Sequence, residues 1–298
     1  MTTAFSRALI GFLRLFPPGW TAGALSLLLK ASLLVIPPVR WRLLERYRYI
    51  LSTAPEAVPP DRKTLAAIAH RGIEMHARNL AAMMLCAEDA RYARERITLD
   101  FVPDLERALK AGRGCVITMS YFGPFAHTLP AMAYRGLDFL IPVLDARQLS
   151  HLPPDMAARF VTVGRSGKRT LEALAKNQAV VVLPTLNFMS HRVDIPFFGR
   201  PSRTTYAPAR LATMAGCPIL PVFTVRQKDG SCRALSGGLI EPVPGPQAVL
   251  DTTAALTAVQ ERWIRERPDH WMYFGDPWAT TEADGAYRLM NFIQRAFG

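Results

Sequence analysis

The chain of 298 residues has little of what is typical of disordered, metal-binding or disulfide-bonded proteins. Only 20% of its residues are charged and 50% are hydrophobic, so it has too much apolar surface to remain unfolded. Its four cysteines form no Cys-x-x-Cys pair and have no histidine at zinc-ligand spacing. Its 19 glycines and 24 prolines follow no triplet period, which excludes a collagen-like chain. We therefore expect a folded protein with reduced cysteines and no metal site.

Acidic side chains are scarce relative to basic ones. The chain has 24 Asp and Glu residues and 36 Lys and Arg residues, which gives a formal net charge of +12. Such a surface attracts polyanions, and the three classes to consider are nucleic acid, an anionic membrane and an acidic carrier protein. The sequence has no recognition-helix pattern, no aromatic strand pair of the RNA-binding type and no zinc finger. We therefore expect an anionic membrane or an acidic carrier as the partner, and no nucleic acid.

The N-terminal 50 residues favour the membrane. Residues 19–36 form an apolar stretch whose only charge is Lys30, and its length is at the lower limit for crossing a bilayer. Residues 4–16 mix arginines with large apolar side chains, as an interfacial helix does. Four arginines follow within residues 40–48, as expected of a cytoplasmic flank. We predict membrane-associating helices over residues 1–50, with a long core helix of a soluble enzyme as the alternative.

The remaining residues, 51–298, show the alternation of helix and strand that is typical of one α/β domain. Short apolar runs predict strands, and periodic apolar positions between them predict helices. Because the strand runs are continuously apolar, we expect a mixed, largely parallel sheet flanked by helices on both faces. The strands are predicted at residues 115–119, 138–143, 160–163, 179–183 and 219–225, and the helices at 103–110, 124–134, 167–176, 207–215 and 252–267.

Ligands of open α/β sheets bind at the carboxyl ends of the strands, so the segments after these strands are the first candidates for a site. Three segments qualify, at residues 120–127, 164–168 and 184–194. Their polar and glycine residues include Ser120 and Gly123 after the first of these strands. We expect these segments to line the functional site.

Four short blocks of the chain form a specific pattern. The most specific blocks are Ile-Pro-Phe-Phe-Gly-Arg-Pro at residues 195–201 and Pro-Ile-Leu-Pro-Val at residues 218–222. The other two are a Gly-Arg pair before a helix, at residues 164–165, and Pro-x-x-Trp at residues 268–271. With this pattern the chain resembles the lipid A late acyltransferases, the lauroyl and myristoyl transferases of the lysophospholipid acyltransferase superfamily. The resemblance covers nearly the whole chain and implies a glycerolipid acyltransferase-like fold.

The resemblance also implies an activity. It implies a protein at the cytoplasmic face of the bacterial inner membrane that transfers an acyl chain to a hydroxyl of a membrane-bound acceptor. The donor substrate would be an acyl carrier protein or coenzyme A thioester, with no further cofactor. In the family, a histidine acts as general base and an Asp or Glu five positions later orients it.

Both positions of that His-x-x-x-x-Asp/Glu motif are substituted here, by Tyr121 and Ala126. A second acidic feature of the family falls near Asn187, whereas the family's arginine is matched by Arg165. A phenol with a pKa near 10 is a poor general base at neutral pH. His127, one position beyond the lost carboxylate, is therefore our second catalytic candidate beside Tyr121, although it also suits an ordinary position on the helix surface.

Binding roles are predicted for a wider set of residues. Lys168, like Arg165, begins a helix after a strand, which suits an anionic group of the donor or of a lipid headgroup. A hydrolase-type triad at Ser120 is disfavoured because its turn is not Gly-x-Ser-x-Gly. His191 and Asp194 have the spacing of a base and its orienting carboxylate, but such pairs are more often solvated. The predicted substrate-binding residues are Ser120, Gly123, Arg165, Lys168, Asn187 and Arg200.

The sequence leaves two hypotheses for function. The first is an acyltransferase with an atypical active site. The second is a catalytically inactive relative that binds an acyl chain or an acyl carrier protein as a pathway partner. The two hypotheses differ in whether a side chain that can act as a base lies close to the bound acyl group.

Overall fold

The structure is a computed structural model and describes residues 16, 20, 23–24, 27–28, 30–31, 37–54, 60–85, 90–143, 154–162, 166–183, 192–271 and 277–278. The helices are α1 (Pro37–Ser52), α2 (Arg62–Leu85), α3 (Ala90–Glu95), α4 (Val102–Leu109), α5 (Phe125–Tyr134), α6 (Pro154–Ala157), α7 (Ser166–Ala175), α8 (Ala207–Ala215) and α9 (Ala248–Glu266). The strands are β1 (Ile97–Leu99), β2 (Cys115–Met119), β3 (Phe139–Val143), β4 (Phe160–Thr162), β5 (Ala179–Val182), β6 (Arg192–Phe197), β7 (Arg200–Thr205), β8 (Ile219–Arg226) and β9 (Cys232–Ser236). A 3₁₀ turn, Pro268–His270, follows α9.

Seven strands form one sheet in the order β1-β9-β8-β2-β5-β3-β4. Neighbouring strands are parallel except β8 and β9, which pair antiparallel. The predicted mixed, largely parallel α/β architecture is therefore confirmed. Strand β2 lies in the middle, between β5 and β8, so the segment that follows it begins at the centre of the carboxyl edge.

The central strands are covered on both faces, as their continuous apolar sequences predict. All five residues of β2 and all four of β5 are buried. Successive side chains point to opposite faces, and Val116 and Ile117 belong to two different core clusters. Ile117 packs in the cluster that includes Leu105 of α4 and Met132 of α5, whereas Val116 packs with Leu174 of α7.

Strands β6 and β7 form a separate antiparallel hairpin that the sequence patterns do not predict. The block Ile-Pro-Phe-Phe-Gly-Arg-Pro forms its tip, where Phe198 and Gly199 both have positive φ angles of 51° and 78°. This two-residue turn matches the right-handed twist of the flanking strands. The rings of Phe197 and Phe198 are buried in a cluster with Trp271. The most family-like block is thus a hairpin tip held in the core.

Much of the predicted membrane anchor lies outside the described residues. Helix α1, which covers the C-terminal end of the predicted segment of residues 1–50, packs against α2 through buried Leu43, Tyr47 and Leu65. Lys30 lies 3.5 Å from Glu74 of α2, so this part of the apolar segment contacts the body. Over the residues that the structure describes, no helix combines the length and apolarity required to cross a membrane. Membrane association therefore stays a prediction.

Candidate active site

The candidate site is the loop after β2, residues 120–124, which we call the β2 loop. Its backbone is held by hydrogen bonds to the segment that contains the 3₁₀ turn. The Gly123 amide donates to the His270 carbonyl oxygen at 2.7 Å, and Phe122 forms an antiparallel bridge with Trp271. The C-terminal Pro-x-x-Trp motif is thereby brought beside the loop that contains the predicted catalytic residue Tyr121.

Gly123 is required by this arrangement. Its φ angle is +56°, and a Cβ atom at this position would overlap the carbonyl oxygen of Thr224 on β8. The same Cβ atom would lie 3.2 Å from Cδ2 of His270. Because only glycine fits this backbone conformation and this space, the predicted site residue Gly123 sets the close approach of three chain segments.

Tyr121, one of the two predicted catalytic residues, lies in the β2 loop. Its ring packs edge-to-face on Phe125 at the start of α5, with a centroid distance of 5.1 Å. Burial raises the pKa of the Tyr121 phenol above its ordinary value. The phenol therefore stays protonated at neutral pH, where it can donate a hydrogen bond but cannot accept a proton.

His127 lies in the first turns of α5 and is buried rather than on the helix surface. Burial and the positive charge of Arg226 lower its pKa to about 4, so its imidazole is neutral at pH 7. The next residue, Thr128, shares a 2.7 Å hydrogen bond with Thr224 and anchors α5 to β8. The structure thus places His127 on the side of α5 that approaches Arg226 of β8.

A histidine and a carboxylate that the sequence analysis did not select lie against the β2 loop. Nδ1 of His270 is 3.0 Å from Oδ1 of Asp269, and the His270 side chain is 5% exposed. Oδ2 of Asp269 accepts a hydrogen bond of 3.1 Å from Nε of Arg71 on α2. The His270 ring lies 5.6 Å from the Phe122 ring, centroid to centroid.

Asp269 is charged in this environment. Burial alone would raise its pKa, but the hydrogen bond and charge of His270, together with those of Arg71, outweigh burial and lower it. The Asp269–His270 pair lies inside the Pro-x-x-Trp block of residues 268–271, whose Trp271 is buried. The adjacent Asp-His pair was the available signal, but adjacency in sequence does not show that two side chains face each other.

Helix α2 contributes a second buried histidine near this segment. Nδ1 of His76 is 2.8 Å from the Gly72 carbonyl oxygen, and burial lowers the pKa of His76 to about 4. A Cβ atom at Gly72 would lie 3.4 Å from the Asp269 carbonyl oxygen, so α2 packs closely on the 3₁₀ turn. His70, on the same helix, is exposed.

The remaining predicted binding residues lie in varied surroundings. Ser120 is buried in the β2 loop, whereas the Lys168 side chain is 88% exposed and lies 3.8 Å from Glu172. The guanidinium of Arg200 stacks on Tyr49, with 3.8 Å from its carbon to the ring centroid. Arg165, Asn187 and His191 lie outside the described residues, and Asp194 is an exposed partner of Arg203 across the hairpin, at 3.7 Å.

Comparison with known proteins gives one family. A search of curated proteins returned no match to this chain. A family model for bacterial lipid A biosynthesis acyltransferases matches residues 141–280, which include the β6–β7 hairpin and the Asp269–His270 pair but not the β2 loop. The match supports the resemblance to these acyltransferases and, with it, an acyltransferase-like function for this chain.

Proposed function

We propose that this protein is a membrane-associated acyltransferase with an atypical active site. It moves a fatty acyl chain from an acyl carrier protein or coenzyme A thioester to a hydroxyl or amine of a lipid acceptor. The observation that carries this proposal is the match of residues 141–280 to the lipid A biosynthesis acyltransferases. The proposed place of action is the cytoplasmic face of the bacterial inner membrane.

The geometry of the β2 loop supports acyl transfer at this edge of the sheet. Tyr121 stands at the family's catalytic position, and burial keeps its phenol protonated by raising its pKa. A protonated phenol can donate a hydrogen bond to the carbonyl oxygen of a thioester as negative charge develops there. We assign Tyr121 this donor role rather than the role of a base.

The experiment is an acyl-transfer assay on the full-length chain in detergent. Acyl carrier protein and coenzyme A thioesters are supplied separately with a lysophospholipid or a total lipid extract, and mass spectrometry follows acylated products and released thiol. We expect transfer by the wild type, a reduced rate for Tyr121→Phe, and a shift of acyl-chain composition in lipids of a deletion strain. The proposal is wrong if neither donor gives an acylated lipid.

A catalytically inactive acyl-binding protein is the second candidate, and the raised pKa of Tyr121 favours it because a phenol is no substitute for a histidine base. The double change Tyr121→His with Ala126→Glu separates the two candidates. Gain of transfer from an inactive wild type would identify an intact acyl pocket that lacks only its base. Donor binding without transfer in both proteins would favour a binding partner.

The anionic donor group is assigned to the start of α7. Lys168 is exposed there, and its interaction with Glu172 at 3.8 Å is too solvated to hold it firmly. With Arg165→Ala or Lys168→Ala, donor binding should weaken by about 1 to 3 kcal/mol, less at high salt. Calorimetric titration at two salt concentrations measures this, and unchanged binding at low salt would remove the assignment.

Membrane association is proposed to involve residues 1–36 and the arginines of residues 40–48 other than Arg46, which is buried against the Trp271 ring. Large apolar side chains are exposed in this part of the chain: Trp20 is 74% exposed, Leu27 70% and Trp41 65%. Exposed apolar side chains beside arginines suit an anionic bilayer. Deletion of residues 1–36 should move the protein from the vesicle pellet to the supernatant in a co-sedimentation assay. Full-length protein that does not bind anionic vesicles would contradict the proposal.

A further inference from the structure

We propose that His270, oriented by Asp269, is the general base of this acyltransferase and replaces the histidine that the β2 loop lacks. This proposal rests on the proposed function, because it names the group that accepts the proton of the acceptor. It concerns a residue far in sequence from the substituted motif but adjacent to it in the structure.

The two side chains have the arrangement that a histidine base requires. Nδ1 of His270 is 3.0 Å from Oδ1 of Asp269, which fixes the ring and directs the lone pair to Nε2 when Nδ1 carries the proton. Asp269 is itself held by Nε of Arg71 at 3.1 Å. Within the described part of the chain, the buried Nε2 atom of His270 has no hydrogen-bond partner. Its lone pair can therefore accept a proton.

The ring lies where the reaction is expected. Cδ2, the carbon bonded to Nε2, would be 3.2 Å from a Cβ atom at Gly123, and the His270 carbonyl oxygen accepts the Gly123 amide at 2.7 Å. The β2 loop and His270 are thus joined by backbone and ring contacts. Tyr121, two positions before Gly123, is the hydrogen-bond donor that we assign to the thioester carbonyl oxygen.

The surroundings favour His270 over His127 as the base. A general base becomes an imidazolium during the reaction, and a neighbouring carboxylate stabilises that cation. His270 has this neighbour in Asp269, whereas the charge that acts on His127 is the positive charge of Arg226. His270 thus has beside it the carboxylate that would stabilise an imidazolium formed during the reaction.

The proposed step is a direct transfer of the acyl group from the thioester to the acceptor hydroxyl. Nε2 of His270 takes the proton of the acceptor hydroxyl as its oxygen forms a bond to the thioester carbonyl carbon. The tetrahedral intermediate then collapses, the carbon–sulfur bond breaks, and Nε2 returns the proton to the departing thiolate. The products are an ester and a free thiol, and Asp269 stays ionised throughout.

The first test measures the rate of transfer by His270→Gln, which keeps a side chain of similar size without a base. We expect kcat to fall about 10²- to 10⁴-fold with KM changed less than about threefold. Asp269→Asn should also lower kcat, by at least about tenfold, because asparagine no longer selects the productive tautomer. The matched control is His70→Gln, on the exposed face of α2, which should retain wild-type kcat.

The second test does not depend on turnover and separates a base from a structural histidine. Nitrogen-15 NMR on the six histidines, with His270 assigned by its loss in His270→Gln, reports which ring nitrogen carries the proton. We expect the Nδ1–H tautomer in the wild type and its loss in Asp269→Asn. A His270 that is protonated on Nε2 overturns the proposal even if His270→Gln is inactive.

The outcomes distinguish the two proposals. If the wild type transfers acyl chains and folded His270→Gln does so at a rate within about threefold, the base is wrong and the proposed function stands. If the wild type transfers no acyl chain from either donor, the proposed function is wrong, and so is the assignment of His270 as the general base. If His270→Gln does not fold, folded His270→Asn replaces it, since the backbone bond to Gly123 needs no imidazole.

Discussion

Two turns of the chain approach Trp271, and they are held in different ways. At the tip of the β6–β7 hairpin, the amide of Phe198 donates to Glu261 at 2.5 Å and its carbonyl oxygen accepts from the Tyr49 hydroxyl at 2.6 Å. The Arg265 guanidinium covers the Phe198 ring at 4.7 Å. Each polar backbone group of this strained residue thus has a named partner.

The β2 loop is held mainly by its backbone, and ionisable side chains are buried around it. Tyr121 and His127 have pKa values displaced by burial, and Nε2 of His270 is buried without a hydrogen-bond partner in the described chain. Burying such groups costs stability. The hairpin tip is thus stabilised by specific polar partners, whereas the β2 loop lies where ionisable groups are concentrated.

The sharpest way to break the β2 loop is Gly123→Ala. The added Cβ atom meets the Thr224 carbonyl oxygen, and the residue has a φ angle of +56°. We expect a loss of more than about 4 kcal/mol in the free energy of unfolding, measured by urea denaturation. The matched control is Gly112→Ala, which also has a positive φ, +71°, but open space around Cβ, and it should cost about 1 kcal/mol. Equal losses would contradict the packing explanation.

The buried histidines should make the β2 loop side of the molecule sensitive to acid. The pKa of His127 is about 4 when folded and about 6.5 when unfolded, so the unfolded chain binds more protons between these values. Stability contributed by His127 is therefore full above about pH 6.5 and is lost as pH falls towards 4, by about 2 to 3 kcal/mol.

Replacing His127 by glutamine should flatten this dependence. In urea denaturation, the unfolding free energy of His127→Gln should fall less between pH 7 and 4.5 than that of the wild type. Part of the pH dependence should remain in the variant, because the pKa of His76 is also about 4. His70→Gln, at an exposed position, is the control and should follow the wild type. If the unfolding free energies of His127→Gln and the wild type depend on pH in the same way, His127 does not cause the acid sensitivity.

At the hairpin tip, Glu261→Met removes the acceptor of the Phe198 amide without removing bulk. A buried amide left without a partner should cost about 1 to 3 kcal/mol, and the Arg265 side chain also loses its 3.0 Å partner. The unfolding free energy of Glu266→Met, on the exposed side of the same helix, should change by less than about 0.5 kcal/mol. Similar values for both would mean that the tip does not depend on its cap.

The smallest effect is expected where α5 meets β8. Thr128→Val or Thr224→Val alone leaves one buried hydroxyl without its 2.7 Å partner and should cost about 1 to 2 kcal/mol. The double change removes both hydroxyls and should cost less than the sum of the two. A double-mutant cycle by urea denaturation measures this coupling, and strictly additive values would show that the two hydroxyls act independently.

The sequence alone determined the α/β class and the central elements. Strand β2 and helix α8 have the predicted bounds, because continuous apolar residues and a Pro-containing helix start are local signals. The helix α9 begins four residues earlier than predicted, at Ala248. Strands β1, β9 and the β6–β7 hairpin were not predicted, since β1 is only three residues long and β7 is the polar sequence Arg-Pro-Ser-Arg-Thr-Thr.

Tertiary structure decided what surrounds the candidate site. The sequence pointed to Tyr121 and Ala126 because they follow a recognisable strand, and their assignment to a substituted catalytic motif stays a prediction. It placed His127 on a helix but did not predict its burial, since which side of a helix is covered depends on distant segments. His270 came to the β2 loop only through the backbone pairing of Gly123 and Phe122 with residues about 150 positions away in the chain. Such pairing has no local sequence signal. The physical reason is that it depends on how distant segments pack together, whereas a sequence pattern reports only on neighbouring residues.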